Sequence, residues 1–189
     1  MRKGFTLVEL SIVLVIIGLL IGGVLKGKAM IDNTKLKRVK TDIDGIVAAT
    51  YGYQDKYGYL PGDDPQDRST ELGATGCSGG NGNGAIQGAV ESACAWQEMI
   101  GAGFISGDAA QHTENLVAKT SPYGGNYLFR FGTRGDRNGN YIYVENIPSD
   151  KVKSLDDKYD DGKNTTGDVQ SNIVYTASPA NAQMYWFAF

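Results

Sequence analysis

Glu9 is the one charged side chain in the 21 residues from Phe5 to Leu25. A carboxylate in such a run costs on the order of 2.5–3.5 kcal/mol on membrane-insertion scales, so it calls for a cationic partner or a function. Elsewhere, residues able to do chemistry are few. Gly76-Cys77-Ser78-Gly79-Gly80 matches the Gly-x-Ser-x-Gly pattern of hydrolases. That motif needs a strand before it, a helix directly after it and a base. Neither element is signalled, and the single histidine, His112, is the only candidate base. A Gly-rich loop accounts for the same residues, and the chain does not read as an enzyme.

Two acidic patterns invite a metal. Asp156, Asp157, Asp160, Asp161 and Asp168 lie within thirteen residues and repel one another unless solvated or bound to a cation. Oxygen-only ligands on a turn suit Ca²⁺. Tyr159, however, stands where an EF-hand would place a ligand, and a helix end capped by aspartates explains the cluster without an ion. Asp136, Asn138 and Asn140 have the alternate spacing of a calcium loop, but the glycine it requires is displaced and no late acid is placed. There turn chemistry is the expectation. Arg134-Gly135-Asp136 matches an adhesion tripeptide that is frequent by chance.

Cys77 and Cys94 form no Cys-x-x-Cys pair, and with one histidine in the chain a structural zinc site is excluded. In an exported head they predict one disulfide, worth ~3 kcal/mol in the chain-entropy model. In a cytosolic domain they would be two buried thiols. The side of the membrane decides between them.

The elements that must position these residues follow from charge and periodicity. Residues 1–40 carry eight Lys/Arg against two acids, and residues 41–189 carry ten against nineteen. That balance describes a basic neck and an acidic, loop-rich head, and it argues against nucleic acid as the head's main partner. Residues 5–25 as a helix would span roughly 31 Å at about 1.5 Å per residue, enough to cross a hydrocarbon core. Leu36, Val39, Ile43, Ile46, Val47, Thr50, Tyr51 and Tyr57 continue at spacings of three and four on one face. The helix should stop at Gly58, with Pro61 barring continuation. The basic run Lys35–Lys40 reads as a solvated neck. Gly18, Gly22, Gly23 and Gly27 make Gly-x-x-x-Gly spacings, which serve close helix packing or local flexibility.

In the head, Val90–Ile105 predicts a short helix. Tyr127–Phe131 and Tyr141–Glu145 alternate as strands, with Asn138-Gly139 as the hairpin turn between them. Ser149-Asp150 predicts an N-cap for a helix ending before Asp160. Ile173–Tyr175 and Gln183–Phe189 read as strands, the second one buried in the head or in a subunit contact.

The N-terminus allows three readings. A secretory signal peptide would have a shorter apolar run and a small-x-small cleavage site, whereas here the run ends in Leu25-Lys26-Gly27-Lys28. A plain signal anchor explains the length but not Glu9 or the Gly4-Phe5 junction. Arg2-Lys3-Gly4-Phe5-Thr6-Leu7-Val8-Glu9-Leu10 resembles the leader junction of type IV pilins and pseudopilins. Lys56–Asp63, Trp96–Ile105 and Leu155–Val169 resemble further stretches of such proteins.

The resemblance implies cleavage after Gly4 by a prepilin peptidase and N-methylation of Phe5. It further implies a charge pair between the Phe5 ammonium and Glu9 of a neighbouring subunit. The implied fold is α+β: a long N-terminal helix, transmembrane in its inner half and amphipathic in its outer half, packed on an antiparallel sheet. The parts would be a leader (1–4), a filament-core helix (5–27), its amphipathic continuation (28–57) and a globular head (58–189). The implied function is a structural subunit of a type IV pilus-like filament, a homo-oligomer built with an assembly ATPase and a platform protein. The alternative is a pseudopilin of a type II secretion or DNA-uptake system, and major pseudopilins of type II secretion bind calcium. The implied location is the bacterial inner membrane with the head outside the cytoplasm, followed by an extracellular filament or periplasmic pseudopilus. The Lys/Arg count near the span opposes that orientation, with Arg2 and Lys3 before it and Lys26, Lys28, Lys35 and Lys37 after it.

Overall fold

The computed structural model describes residue 4 and residues 6–109, 120–175 and 180–187. The chain forms two compact units, Met1–Lys37 and Arg38–Phe189. Helix α1, Leu7–Tyr57, contributes to both and has 51 residues.

In the first unit α1 is unbroken through Gly18, Gly22, Gly23 and Gly27, and a Cβ added at any of them would meet nothing within 4 Å. No residue from Thr6 to Leu25 is shielded from solvent. The apolar run is therefore regular helix with its side chains exposed. Its backbone groups are satisfied by i→i−4 bonds, as hydrocarbon surroundings require.

In the second unit the outer part of α1 carries the core. Val39, Ile43, Ile46, Ala49, Thr50 and Tyr53 are buried, the three-and-four stripe that the sequence displays. Lys40 departs from the expected solvated neck. It forms an ion pair with Asp44 and lies over the rings of Tyr159 and Trp186 at 5.2 and 5.5 Å, so its stem packs while its charge stays paired. The helix ends at Tyr57, and Gly58 takes a left-handed φ of 85° while its N–H closes onto the Gln54 carbonyl at 2.7 Å.

Four strands form one antiparallel sheet in the order β1-β2-β4-β3: β1 Tyr127–Arg134, β2 Arg137–Pro148, β3 Val169–Ser171 and β4 Asn181–Phe187. This is the α+β layout of a pilin-like head. The inner face carries Tyr127, Phe129, Ile142, Val144, Val169, Met184 and Trp186. Helix α3, Gly88–Gly101, packs beside β1, with Trp96 5.0 Å from Phe129 between ring centroids. A single turn, α2, Ser69–Leu72, precedes it. Helix α4, Ser149–Tyr159, contacts β2, β3 and β4.

Three expectations are corrected. The hairpin turns at Gly135-Asp136, because Arg134 pairs with Arg137 and Asn138-Gly139 lies inside β2. A turn at 138–139 would place Phe129 opposite Pro148 and Ile142 opposite Gly135, dissolving the apolar row. Gly135 has a φ of 50°, and any Cβ there would overlap the Thr165 carbonyl oxygen, so tertiary contact as well as turn geometry requires glycine. The third strand is Val169–Ser171 rather than Ile173–Tyr175. Val169 pairs with Trp186 on the inner face, whereas Val174 is exposed. Ser149 is the first residue of α4, fully buried, with its N–H on the Ala180 carbonyl at 2.9 Å. Pro148, not Ser149, occupies the N-cap position and offers no side-chain cap.

Candidate functional site

The N-terminal turn of α1 is built by Thr6 and Glu9. The Thr6 N–H and hydroxyl donate to one Glu9 carboxylate oxygen at 2.8 and 2.9 Å, and the Glu9 N–H donates to the Thr6 hydroxyl at 3.2 Å. This is a reciprocal capping box, which satisfies helix-end donors that have no partner within the helix. Sequence reasoning overlooked it, although Thr-x-x-Glu ahead of an apolar run is its signature. The carboxylate is thus held at the positive end of the helix dipole, where negative charge is favoured. Gly4 is exposed. Phe5, which carries the cleavage, methylation and charge-pair expectations, lies outside the described residues.

From this turn as far as Leu25, the apolar side chains of α1 are exposed. Leu7, Leu19 and Val24 are each at least 70 % exposed. The helix is long and apolar enough to cross a membrane, and its most apolar stretch has a mean hydropathy of 2.7.

In the head, Cys77 and Cys94 are joined in a disulfide with their Cα atoms 5.5 Å apart, tying the Gly-rich loop to α3. Ser78 is exposed on that loop, with no strand before it and no helix until Gly88, so a nucleophile elbow is missing. His112 lies outside the described residues.

The loop's real organisers are buried acids that the sequence reading missed. Asp63 accepts from the N–H groups of Gly82, Asn83 and Gly84 at 2.9, 3.2 and 2.6 Å. Asp64 accepts from Arg68 Nε at 2.6 Å and from the Tyr53 hydroxyl at 3.3 Å. Glu98 accepts from the Gly62 N–H at 2.7 Å. Burial pushes the Glu98 carboxyl up to about 7, against the Gly62 and Tyr53 hydrogen bonds that favour its charged form. In the sequence they stand out only as the adjacent pair Asp63-Asp64 ahead of the Gly-rich loop and a single acid, Glu98, in an otherwise uncharged stretch of α3.

The five C-terminal aspartates separate into two groups. Asp157 pairs with Lys153 at 2.6 Å, and Asp168 pairs with Arg137, so neither joins a common ligand set. Asp156, Asp160 and Asp161 each place a carboxylate oxygen within 4.8 Å of the others. Asp156 is buried and accepts from the Gly162 N–H at 2.8 Å and the Tyr175 hydroxyl at 2.5 Å. Desolvation raises its pKa, opposed by those two bonds. Asp160 accepts from the Val169 N–H at 2.7 Å, and Asp161 from the Lys163 N–H at 2.9 Å and the Thr166 hydroxyl. Each thus already receives hydrogen bonds, the pattern of a loop built around carboxylates. Their remaining oxygen capacity is chemically suited to Ca²⁺. Asp136, Asn138 and Asn140 are committed to other partners: Gln170, Thr133, and the Ile86 N–H and Gly84 carbonyl respectively.

Comparison with known proteins bears on one end of the chain. Neither the curated proteins nor the solved structures contain a match to it. Residues 1–25 match the family model described as the prokaryotic N-terminal methylation motif. The exposed apolar helix with its capped carboxylate therefore opens with a prepilin-type segment, of the kind carried by type IV pilins and pseudopilins.

Proposed function

We infer that the chain is a structural subunit of a type IV pilus-like filament. A prepilin peptidase cleaves after Gly4, Phe5 is N-methylated, and the subunit polymerises through α1. The observation that carries this reading is the contrast within α1, which is exposed and largely apolar as far as Leu25 while Val39, Ile43, Ile46, Ala49 and Tyr53 are buried. An apolar helix of this length needs an apolar surround, first lipid and then the packed helices of a filament core. The Phe5 ammonium of a neighbouring subunit neutralises Glu9, and removing one member of such a pair costs more than the pair contributes. The head lies outside the cytoplasm before assembly, which suits the disulfide. An assembly ATPase and a platform protein act on it as they act on pilins. Electron microscopy of sheared surface fibres, with mass spectrometry of their N-terminus, tests the reading. Abundant fibres with methyl-Phe5 as the mature terminus support it, and an uncleaved Met1 terminus overturns it.

A second reading, a pseudopilin of a type II secretion or DNA-uptake system, is favoured by the Asp156–Asp160–Asp161 cluster. In that reading the three carboxylates hold Ca²⁺ and brace the loop 160–168 against β3. The same processing is expected, with the product retained in the periplasm and absent from sheared fibres.

A further inference from the structure

The face of the sheet opposite Phe129 and Ile142 holds a groove over a buried cluster of Tyr141, Tyr185 and Phe187. Its volume is about 270 Å³, and it is lined by Leu128, Arg130, Arg134, Tyr141, Tyr143, Glu145 and Gln183. The floor is aromatic. Tyr143 and Tyr185 stack at 5.7 Å between centroids, and Tyr141 meets Tyr185 edge-on at 5.5 Å and Phe187 at 5.2 Å. Strand pairing sets this arrangement, because Arg130 opposes Tyr141 and Tyr143 opposes Tyr185, so alternate residues of β1, β2 and β4 share one face.

The two arginines are held in place by neutral groups. Arg134 lies over the Tyr185 ring at 4.7 Å and the Tyr141 ring at 5.4 Å, and it donates to its neighbour's carbonyl on Thr133 at 3.1 Å. Arg130 donates to the Phe129 carbonyl at 2.9 Å. Among the described residues neither has a carboxylate within ion-pair distance, in a head otherwise rich in acid. Arg137, on the same hairpin, is paired with Asp168. Gln183 accepts from the Tyr185 hydroxyl at 3.0 Å, which leaves its amide N–H groups for a ligand. Glu145 offers a carboxylate acceptor at the groove wall.

We propose that this groove binds an acidic sugar, a uronate or similar carboxylated saccharide, between Arg130 and Arg134. The guanidinium forks match a carboxylate, while Glu145 accepts from sugar hydroxyls and Gln183 donates to them. Two cations and one anion suit a single negative charge bearing hydroxyls. A phosphodiester chain would bring repeated charge against Glu145, so nucleic acid is the poorer fit. The volume holds one ring with its substituents. The proposal does not depend on how the filament is built, because the groove belongs wholly to the head.

The test uses the full chain in detergent, titrated with glucuronic acid and with a glucuronate-containing disaccharide while tyrosine fluorescence or saturation-transfer NMR is followed. Glucose and a single-stranded oligonucleotide serve as comparison ligands. Saturable uronate binding, at least about tenfold stronger than glucose, is expected, and Arg130→Ala and Arg134→Ala should each weaken it about tenfold or more. Arg137→Ala, outside the groove, should leave it unchanged. Circular dichroism and melting identify variants that keep the fold, and Arg130→Ala carries the test if Arg134→Ala disturbs the ring stack. Uronate binding that survives the Arg130 substitution, equal binding of glucose, no saturable uronate binding, or displacement of uronate by the oligonucleotide would each overturn the proposal.

Discussion

The two halves of α1 use one helix in opposite ways. From Leu7 to Leu25 every residue is exposed and all but Glu9 and Ser11 are apolar, whereas from Val39 to Tyr53 the apolar stripe closes the head's core. The first half is ordered helix with exposed side chains. The second is packed as well, because Trp96, Met99, Phe129 and Ile142 form the buried layer it shares. The lesson is that helical periodicity and burial are separable. A stripe becomes core only where the same chain supplies the facing surface, and otherwise the surface must come from lipid or another subunit.

That contrast can be broken most sharply at Glu9. On the proposed filament reading, Glu9→Ala should leave Gly4 cleavage intact yet lower fibre yield by an order of magnitude or more, read as the chain in sheared fractions against the chain in membranes. Normal yield would remove the charge pair. Glu9→Gln isolates charge from capping, since an amide oxygen preserves the Thr6 bonds. Next come paired truncations in the two halves, in detergent-solubilised chain. Ile43→Ala should cost about 2–5 kcal/mol of head stability, while Leu20→Ala should change it by less than about 0.5 kcal/mol. Equal losses would mean that the first half packs on the chain after all.

Removing the Cys77–Cys94 crosslink by a double serine substitution should cost about 3 kcal/mol for a loop of this separation, measured by urea denaturation. An unchanged midpoint would show that the Asp63 cradle alone orders the loop.

Glu98 should produce a pH effect of similar or smaller size. Its folded pKa of about 7 lies above the ordinary 4.5, so between those values the folded state holds a proton that the unfolded state has released. Stability is therefore greatest below about pH 4.5 on this account and falls as pH rises towards 7, by up to roughly 3 kcal/mol. Glu98→Gln should flatten that slope and raise the midpoint at pH 8. A persisting slope would assign it to other acids, of which Asp156 and Glu91 are also raised by burial. The smallest effect is expected from calcium. Calorimetric titration of the full chain should show heat that Asp160→Asn abolishes, and no heat with no shift in melting temperature would remove the ion from the second reading.

How much could be read ahead of the structure varied with the range of the governing interactions. Gly4-Phe5 and Glu9, the end of α1 at Gly58 and the alternation of β1 and β2 are local signals carried by residues within a few positions of one another. The Thr6–Glu9 capping box is equally local, a Thr-x-x-Glu spacing ahead of an apolar run. The hairpin turn was misplaced because Asn138-Gly139 is a strong local signal that register outweighs. The apolar row Phe129–Ile142 and the Thr165 contact at Gly135 jointly select another turn. Ile173-Val174-Tyr175 has the better strand composition, but Val169 is what meets Trp186.

By itself the sequence determined the class of the molecule: a prepilin-type N-terminus on an apolar helix, followed by an α+β head. Its signals there are hydropathy and short spacing, which depend on no distant residue. Only the tertiary structure decided which acids are buried, which of the five aspartates converge, and that Arg130 and Arg134 share a tyrosine-floored groove with no carboxylate of the described residues within ion-pair distance. Those outcomes depend on strand order β1-β2-β4-β3 and on loops closing over one another, through contacts between residues far apart in the chain.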